Sequence, residues 1–154
     1  MSFPTGHTKS LLIVDDNDDD VFLLMWALKK GKYKPDAHRA ANGVQAIAYL
    51  QNCLRNHEPS SQLPGLVLLD IKMPGVNGHE VLAWIRSQPA LQHLSVYMLS
   101  SSALEVDVLK AEAAGADGYW VKPSDLQEHL DLALRINSLL LLASPARYHP
   151  LQLA

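Results

Sequence analysis

"LVLLDIKMPG" occupies residues 66–75. Four large apolar residues run into Asp70, and a proline-glycine turn follows. A strand that is apolar at every position is buried on both faces, as in a parallel sheet covered by helices on each side. Such a strand holds its last residue rigidly at the sheet rim, and here that residue is a carboxylate.

Outward from this stretch, short apolar runs alternate with segments of helical period. "SLLIVDD" reads as a first strand over Leu11–Val14, ending at Asp15 and Asp16. "DDDVFLLMWALKKGK" reads as a helix with Asp18, Asp19 and Asp20 in its first turn, where the helix dipole favours acids, and Lys29, Lys30 and Gly31 at its end. "DAHRA" is a half-polar strand that belongs near an edge. "NGVQAIAYLQNCLRN" is a second helix, capped by Asn42 with Gln45 three residues on. The Pro- and Ser-rich "HEPSSQLPG" is a loop leading into 66–70. "NGHEVLAWIRS" follows as a helix, with Asn77 and Glu80 as its capping box. "LSVYMLS" is a fourth strand. Ser102 and Glu105 form a box opening the next helix, which Gly115 stops. "GYWV" is a short fifth strand. Ser124 and Gln127 form the last box, opening a helix over 124–142.

The order is βα repeated five times. Right-handed crossovers then put helices on both faces, predicting a doubly wound five-stranded parallel α/β sheet of strand order 2-1-3-4-5. An eight-unit closed barrel needs roughly 250 residues, and this chain has 154. The expected organisation is a flexible N-terminus over 1–8, one domain over 9–142, and a C-terminal tail over 143–154. Nearly half the residues are apolar and 19% are charged, as in a soluble globular domain. A net charge of -3 without clustered Lys or Arg gives no nucleic-acid footprint. No apolar run approaches the ~20 residues of a membrane helix, and no signal peptide opens the chain. The one cysteine, Cys53, cannot form an internal disulfide, which suits the cytoplasm.

In such a sheet, ligands bind at the carboxyl ends of the strands. The predicted order brings Asp15 and Asp16, Asp70, Ser100 and Ser101, and Lys122 to one rim. Three neighbouring carboxylates repel one another, and a divalent cation would offset that. Hard oxygen donors without Cys or a His pair select Mg²⁺ (or Mn²⁺) over Zn²⁺. Lys122 adds a point charge for a phosphate and Ser100 a hydroxyl donor. The set describes a phosphoryl-transfer site, with Asp70 as the nucleophile that forms an acyl phosphate. No Walker-type or G-x-G-x-x-G loop follows the first strand, so ATP and NAD are poor ligands for it.

"LLIVDDN", "LVLLDIKMPGVNGHEVL", "VYMLSSSA" and "GADGYWVKP", in this order and spacing, resemble the receiver domain of response regulators in bacterial two-component signalling. The resemblance spans about 9–142 and implies a flavodoxin-like, CheY-like fold. It implies that Asp70 is the phospho-acceptor. Asp16, Asp70 and the backbone carbonyl of Lys72 would bind the metal, with Asp15 acting through a water. Ser100 matches the family's switch hydroxyl, Tyr119 its switch aromatic, and Lys122 its phosphoryl partner, with a cis Lys122–Pro123 peptide. Ser100 stands where Thr is frequent, which keeps the hydroxyl. Positions 72 and 102 are where the family tunes dephosphorylation. Phosphorylation would draw Ser100 and Lys122 inward, let Tyr119 turn, and alter the face of helix four, strand five and helix five. The chain resembles stand-alone receivers without a DNA-binding output domain. "RNHEPSSQLPG" and "GADGYWVKPSDLQEHL" look like the subgroup paired with phytochrome-type sensor histidine kinases.

Other features read more plainly. Trp26 and Trp84 sit at helical spacing as packing residues, and Trp120 lies on a partly exposed strand face. The seven histidines show no metal spacing. Leu139 to Leu142 are four consecutive leucines, which at 100° per residue point all round a helix, so one core cannot bury them all. With Tyr148, Leu151 and Leu153 beyond, they suggest a homodimer through the helix-five end and the tail. Two alternatives to the phospho-accepting reading stand beside it. A phosphatase of the haloacid dehalogenase type also uses a strand-end Asp but has an acid two residues on, where this chain has Lys72. A degenerate receiver serving only as a binding module would not need the complete acidic set.

Overall fold

The computed structural model describes residues 9–56 and 62–142. The expected N-terminal segment, the first part of the loop before the third strand, and the tail with Tyr148, Leu151 and Leu153 lie outside the described residues. Five strands, β1 (Leu11–Val14), β2 (Ala37–Ala40), β3 (Leu66–Leu69), β4 (Val96–Ser100) and β5 (Gly118–Val121), alternate with five helices. These are α1 (Asp18–Lys30), α2 (Gly43–Arg55), α3 (Gly78–Ser87), α4 (Glu105–Ala113) and α5 (Leu126–Leu142). All strand pairs are parallel, in the order β2-β1-β3-β4-β5 that the alternation predicts. Among the described residues no helix is long and apolar enough to cross a membrane.

Strand alternation sorts the core into two layers. Leu11, Ile13, Leu66, Leu68 and Leu99 pack against α1 and α5. Leu12, Val14, Val67, Leu69, Val96 and Met98 pack against α2, α3 and α4. Every residue of β1 and β3 is buried, so these two form the centre. The edge strands β2 and β5 are mostly half-buried, in keeping with their shorter apolar content. Trp26 and Trp84 pack on opposite layers, and Trp120 stacks at 4.6 Å on Tyr97.

Two of the expected helix starts move. Asn77 and Glu80 do form a reciprocal capping box on α3, and Asn42 accepts from Gln45 N at 2.8 Å on α2. The Ser102–Glu105 box does not form. The Ser102 hydroxyl donates to Asp107 and accepts from Leu104 N at 3.2 Å, so α4 begins only at Glu105. Nor do Ser124 and Gln127 pair. Asp125 accepts from Glu128 N at 2.7 Å, and Glu128 reaches back to Ser124 N at 2.8 Å, so α5 starts at Leu126. At α5 a carboxylate thus takes the helix N–H, whereas α4 starts without a side-chain cap because Ser102 turns its hydroxyl to Asp107. A single 3₁₀ turn, Pro89–Leu91, also follows α3 and buries Leu91.

Arg86, at the end of α3, fastens the amino end of the sheet. It donates to Gly115 O at 2.9 Å and Leu94 O at 2.7 Å, and pairs with Asp117 at 3.0 Å. Asp117 in turn accepts from Val96 N at 2.8 Å.

Candidate functional site

The opposite, carboxyl end of the sheet gathers the predicted residues. Asp15 N donates to Ala40 O at 3.1 Å and Asp70 N to Val14 O at 2.9 Å, so both backbones continue the ladder to its last rung. The alternation that faces Leu11, Ile13, Leu66 and Leu68 toward α1 and α5 carries Asp15 and Asp70 the same way. Both carboxylates are buried, while Asp16 is exposed at the rim. One carboxylate oxygen from each of Asp15, Asp16 and Asp70 lies within 4.8 Å of the others. Hard oxygens at this spacing suit a divalent cation of the Mg²⁺ or Mn²⁺ type.

Lys122 follows the exposed end of β5 and turns its ammonium into the acids. Its Nζ is 2.9 Å from Asp15 Oδ2, 3.2 Å from Asp70 Oδ2 and 2.7 Å from Asp20 Oδ2. Burial works to lower its pKa, but the hydrogen bonds to Asp20 and Asp15 and the charge of Asp70 outweigh it and raise the pKa above the usual lysine value. Asp70 goes the other way for a carboxylate. Burial pushes it up to about 6, with Asp15 adding to the rise and Lys122 opposing it.

Ser100 is fully buried at the end of β4, and its hydroxyl accepts from Ser102 N at 3.2 Å. Ser101 beside it is exposed. Tyr119 is half-buried against the α2–α4 layer and donates its hydroxyl to Ser102 O at 2.8 Å. The β4–α4 loop is thus held at Ser102 from both sides, by Ser100 and by Tyr119. Lys72 is exposed in the β3–α3 loop. That loop closes tightly: Gly78 N donates to Ile71 O at 2.9 Å, and a Cβ on Gly78 would lie 2.1 Å from Asp70 O. The expected cis peptide is absent. The described residues contain none, and Lys122 N, just before Pro123, still donates to Ser100 O at 2.8 Å.

Two residues that the sequence reading did not single out border the site. Asp20, read there only as a first-turn acid, makes the shortest contact to Lys122. Arg39, at the end of β2, donates through Nε and Nη2 to Asp15 O at 3.2 and 3.1 Å and pairs with Asp18 at 2.7 Å. It clamps the β1–α1 loop from the side opposite Lys122. Among the described residues no histidine joins the acidic group; His129 is buried in α5 and bonds Asp125 O at 2.7 Å. Burial pushes the Cys53 thiol up, as suits an inert helix residue.

A parallel five-stranded sheet with an acidic trio and a lysine at its carboxyl rim defines a receiver-type signalling domain. The family model of the response regulator receiver domain matches residues 11–134, and the chain belongs to that family. It is 30% identical over 138 residues to the response regulator Rcp1 of Synechocystis sp., covering 90% of this chain and 92% of Rcp1. The solved Mn²⁺-bound form of Rcp1 superposes with a TM-score of 0.73 at 28% identity, covering 92% of this chain and 99% of that one. The phosphorylated cyanobacterial phytochrome response regulator RcpA superposes with a TM-score of 0.77 at 29% identity, covering 88% and 96%. The bacteriophytochrome response regulator AtBRR does so with a TM-score of 0.68 at 31% identity, covering 85% and 93%.

Proposed function

We propose that this chain is a Mg²⁺-dependent phospho-accepting signalling protein of the cytoplasm, charged at Asp70 by a sensor histidine kinase. The observation that carries the reading is the placement of Asp70. It is a buried strand-end carboxylate within reach of two further carboxylates and 3.2 Å from Lys122. Asp16, Asp70 and the Lys72 carbonyl would hold the cation, with Asp15 supporting it through a water. The donor set fits, being all oxygen and carrying more negative charge than Lys122 alone balances. When bound, the cation neutralises charge on the transferring phosphoryl group.

An Asp70 carboxylate oxygen attacks phosphorus, the phosphorus–nitrogen bond to the donor's phosphohistidine breaks, and the imidazole leaves with its electron pair. Lys122 is already within hydrogen-bond distance of Asp70 and needs only to exchange one carboxylate for a phosphoryl oxygen. The Ser100 hydroxyl, now engaged with Ser102 N, is free to donate to another phosphoryl oxygen by rotation. That removes one of the two fastenings of the β4–α4 loop, and Tyr119 holds the other. The surface that would change carries exposed Leu104, Val106, Leu109 and Val121, a face suited to a protein partner. The chain promotes only its own phosphorylation and hydrolysis, with no nucleic acid or membrane involved. Because the phytochrome response regulator RcpA and the bacteriophytochrome response regulator AtBRR resemble it, a phytochrome-type kinase is the first donor to test.

The decisive experiment is intact-mass analysis after incubation with Mg²⁺ and acetyl phosphate. One added phosphoryl group is expected, and none with Asp70→Asn. Addition that survives the substitution overturns the acceptor assignment. Repeated turnover on unrelated phosphate esters would instead mark an Asp-based phosphatase, and no addition from any donor a binding module.

A further inference from the structure

An ammonium has three hydrogens to donate, and Lys122 faces three carboxylates, hydrogen-bonded to Asp20 and Asp70 and ion-paired with Asp15. Two of its partners, Asp15 and Asp70, belong to the trio whose oxygens lie within 4.8 Å of one another. A divalent cation at that trio and the Lys122 ammonium therefore compete for the same two acids, and two cations on shared ligands repel. Asp20 is the third partner, at 2.7 Å the nearest, and is not one of the trio. Its position is fixed from below, because Asp20 N donates to the Asn17 cap at 3.0 Å in the first turn of α1. Asp20 stands 102 positions from Lys122 in the chain, so the contact is tertiary and not a by-product of helix capping. The neighbouring first-turn acid, Asp18, goes to Arg39 instead.

We propose that Asp20 is a positioning residue that keeps Lys122 neutralised at the rim while a divalent cation binds Asp70 and draws on Asp15 through a water. Asp20 acts through Lys122 and touches neither metal nor phosphoryl group. Without it, metal binding strands a buried ammonium without an ionic partner, which is costly. The inference rests on the phospho-accepting reading of the site.

The test is calorimetric titration of Mg²⁺ into four full-length proteins: the parent, Asp20→Asn, Lys122→Ala and the double variant, each checked for folding by circular dichroism. Asp20→Asn should weaken Mg²⁺ binding about tenfold in the parent background. With Lys122 absent there is no ammonium to rehouse, and the same substitution should then cost on the order of twofold, the screened effect of one distant charge. Asp20→Glu should restore most of the parent affinity. An equal loss in both backgrounds, or no loss in the parent, overturns the proposal. If the parent itself binds no Mg²⁺ at millimolar concentration, it is the reading of the site that fails. If the parent binds Mg²⁺ and accepts one phosphoryl group while the two losses are equal, only the role of Asp20 falls.

Discussion

Asp70 titrates against its own surroundings. With burial raising its carboxyl from the ordinary 3.8 to about 6, the folded protein holds this proton more tightly than the unfolded chain. Across that interval the unfolded chain deprotonates first, so rising pH removes stability, and the loss is complete above pH 6. Asp70→Asn abolishes the unfavourable charge while Lys122 keeps Asp15 and Asp20. In the absence of divalent metal the variant should be more stable than the parent at pH 8 by about 3 kcal/mol and nearly equal near pH 4. Urea unfolding at the two pH values measures this, and a gain of the same size at both would contradict it. Residue by residue, the rim was legible wherever a polar group closes an apolar run, as at Asp15, Asp70, Ser100 and Lys122. Asp20 and Arg39 were not, because each is recognisable only by a partner that folding brings from another strand.

The β3–α3 connection is the element on which the position of Asp70 rests. A methyl group at Gly78 would meet the Asp70 carbonyl, whereas one at Gly75, with φ of 77°, would meet nothing within 4 Å. Gly78→Ala should therefore cost on the order of 2–3 kcal/mol in urea unfolding and slow phosphorylation, because the Asp70 backbone must yield. Gly75→Ala should cost about 1 kcal/mol through its backbone angle alone and leave phosphorylation near the parent rate. Similar losses at both positions would show that the loop is not closed on Asp70. Element boundaries follow the same division between local and distant causes. β1 and β5 match the sequence reading because their apolar runs are bounded by Asp15 and by Gly118. The start of α5 shifts because Asp125 takes the cap, and that of α4 because Ser102 turns its hydroxyl to Asp107 instead of capping the helix. Two acceptors in one short stretch leave the sequence ambiguous about which one caps.

At the scale of the molecule, the four-leucine run divides as helical geometry requires. Leu140 is buried in the α1–α5 layer, while Leu141 and Leu142 are 56% and 61% exposed. Leu134, two turns earlier, is exposed as well. We propose that this end of α5 covers its apolar surface against a second copy of the chain. Sedimentation of the full-length protein at tens of micromolar should show a dimer, and Leu141→Ser with Leu142→Ser should shift it to monomer without loss of fold. A parent that stays monomeric defeats the proposal. The doubly wound topology itself was legible because β1 and β3 are apolar without interruption, a pattern that admits few other architectures.

The Arg86–Asp117 clasp lies at the floor of the sheet, as far from the rim as the fold allows. One guanidinium ties the exit of α3 to the entries of both β4 and β5, so these three elements share a common footing. On the proposed function, a displacement that begins at Ser100 or Lys122 meets that footing at the amino end. The path left to it runs sideways, through the loop above β4 and the ring of Tyr119, to solvent where α4 flanks β5. On that reading the clasp acts as the fixed jaw of a vice, with the rim as the end at which a small change in charge becomes a change in shape.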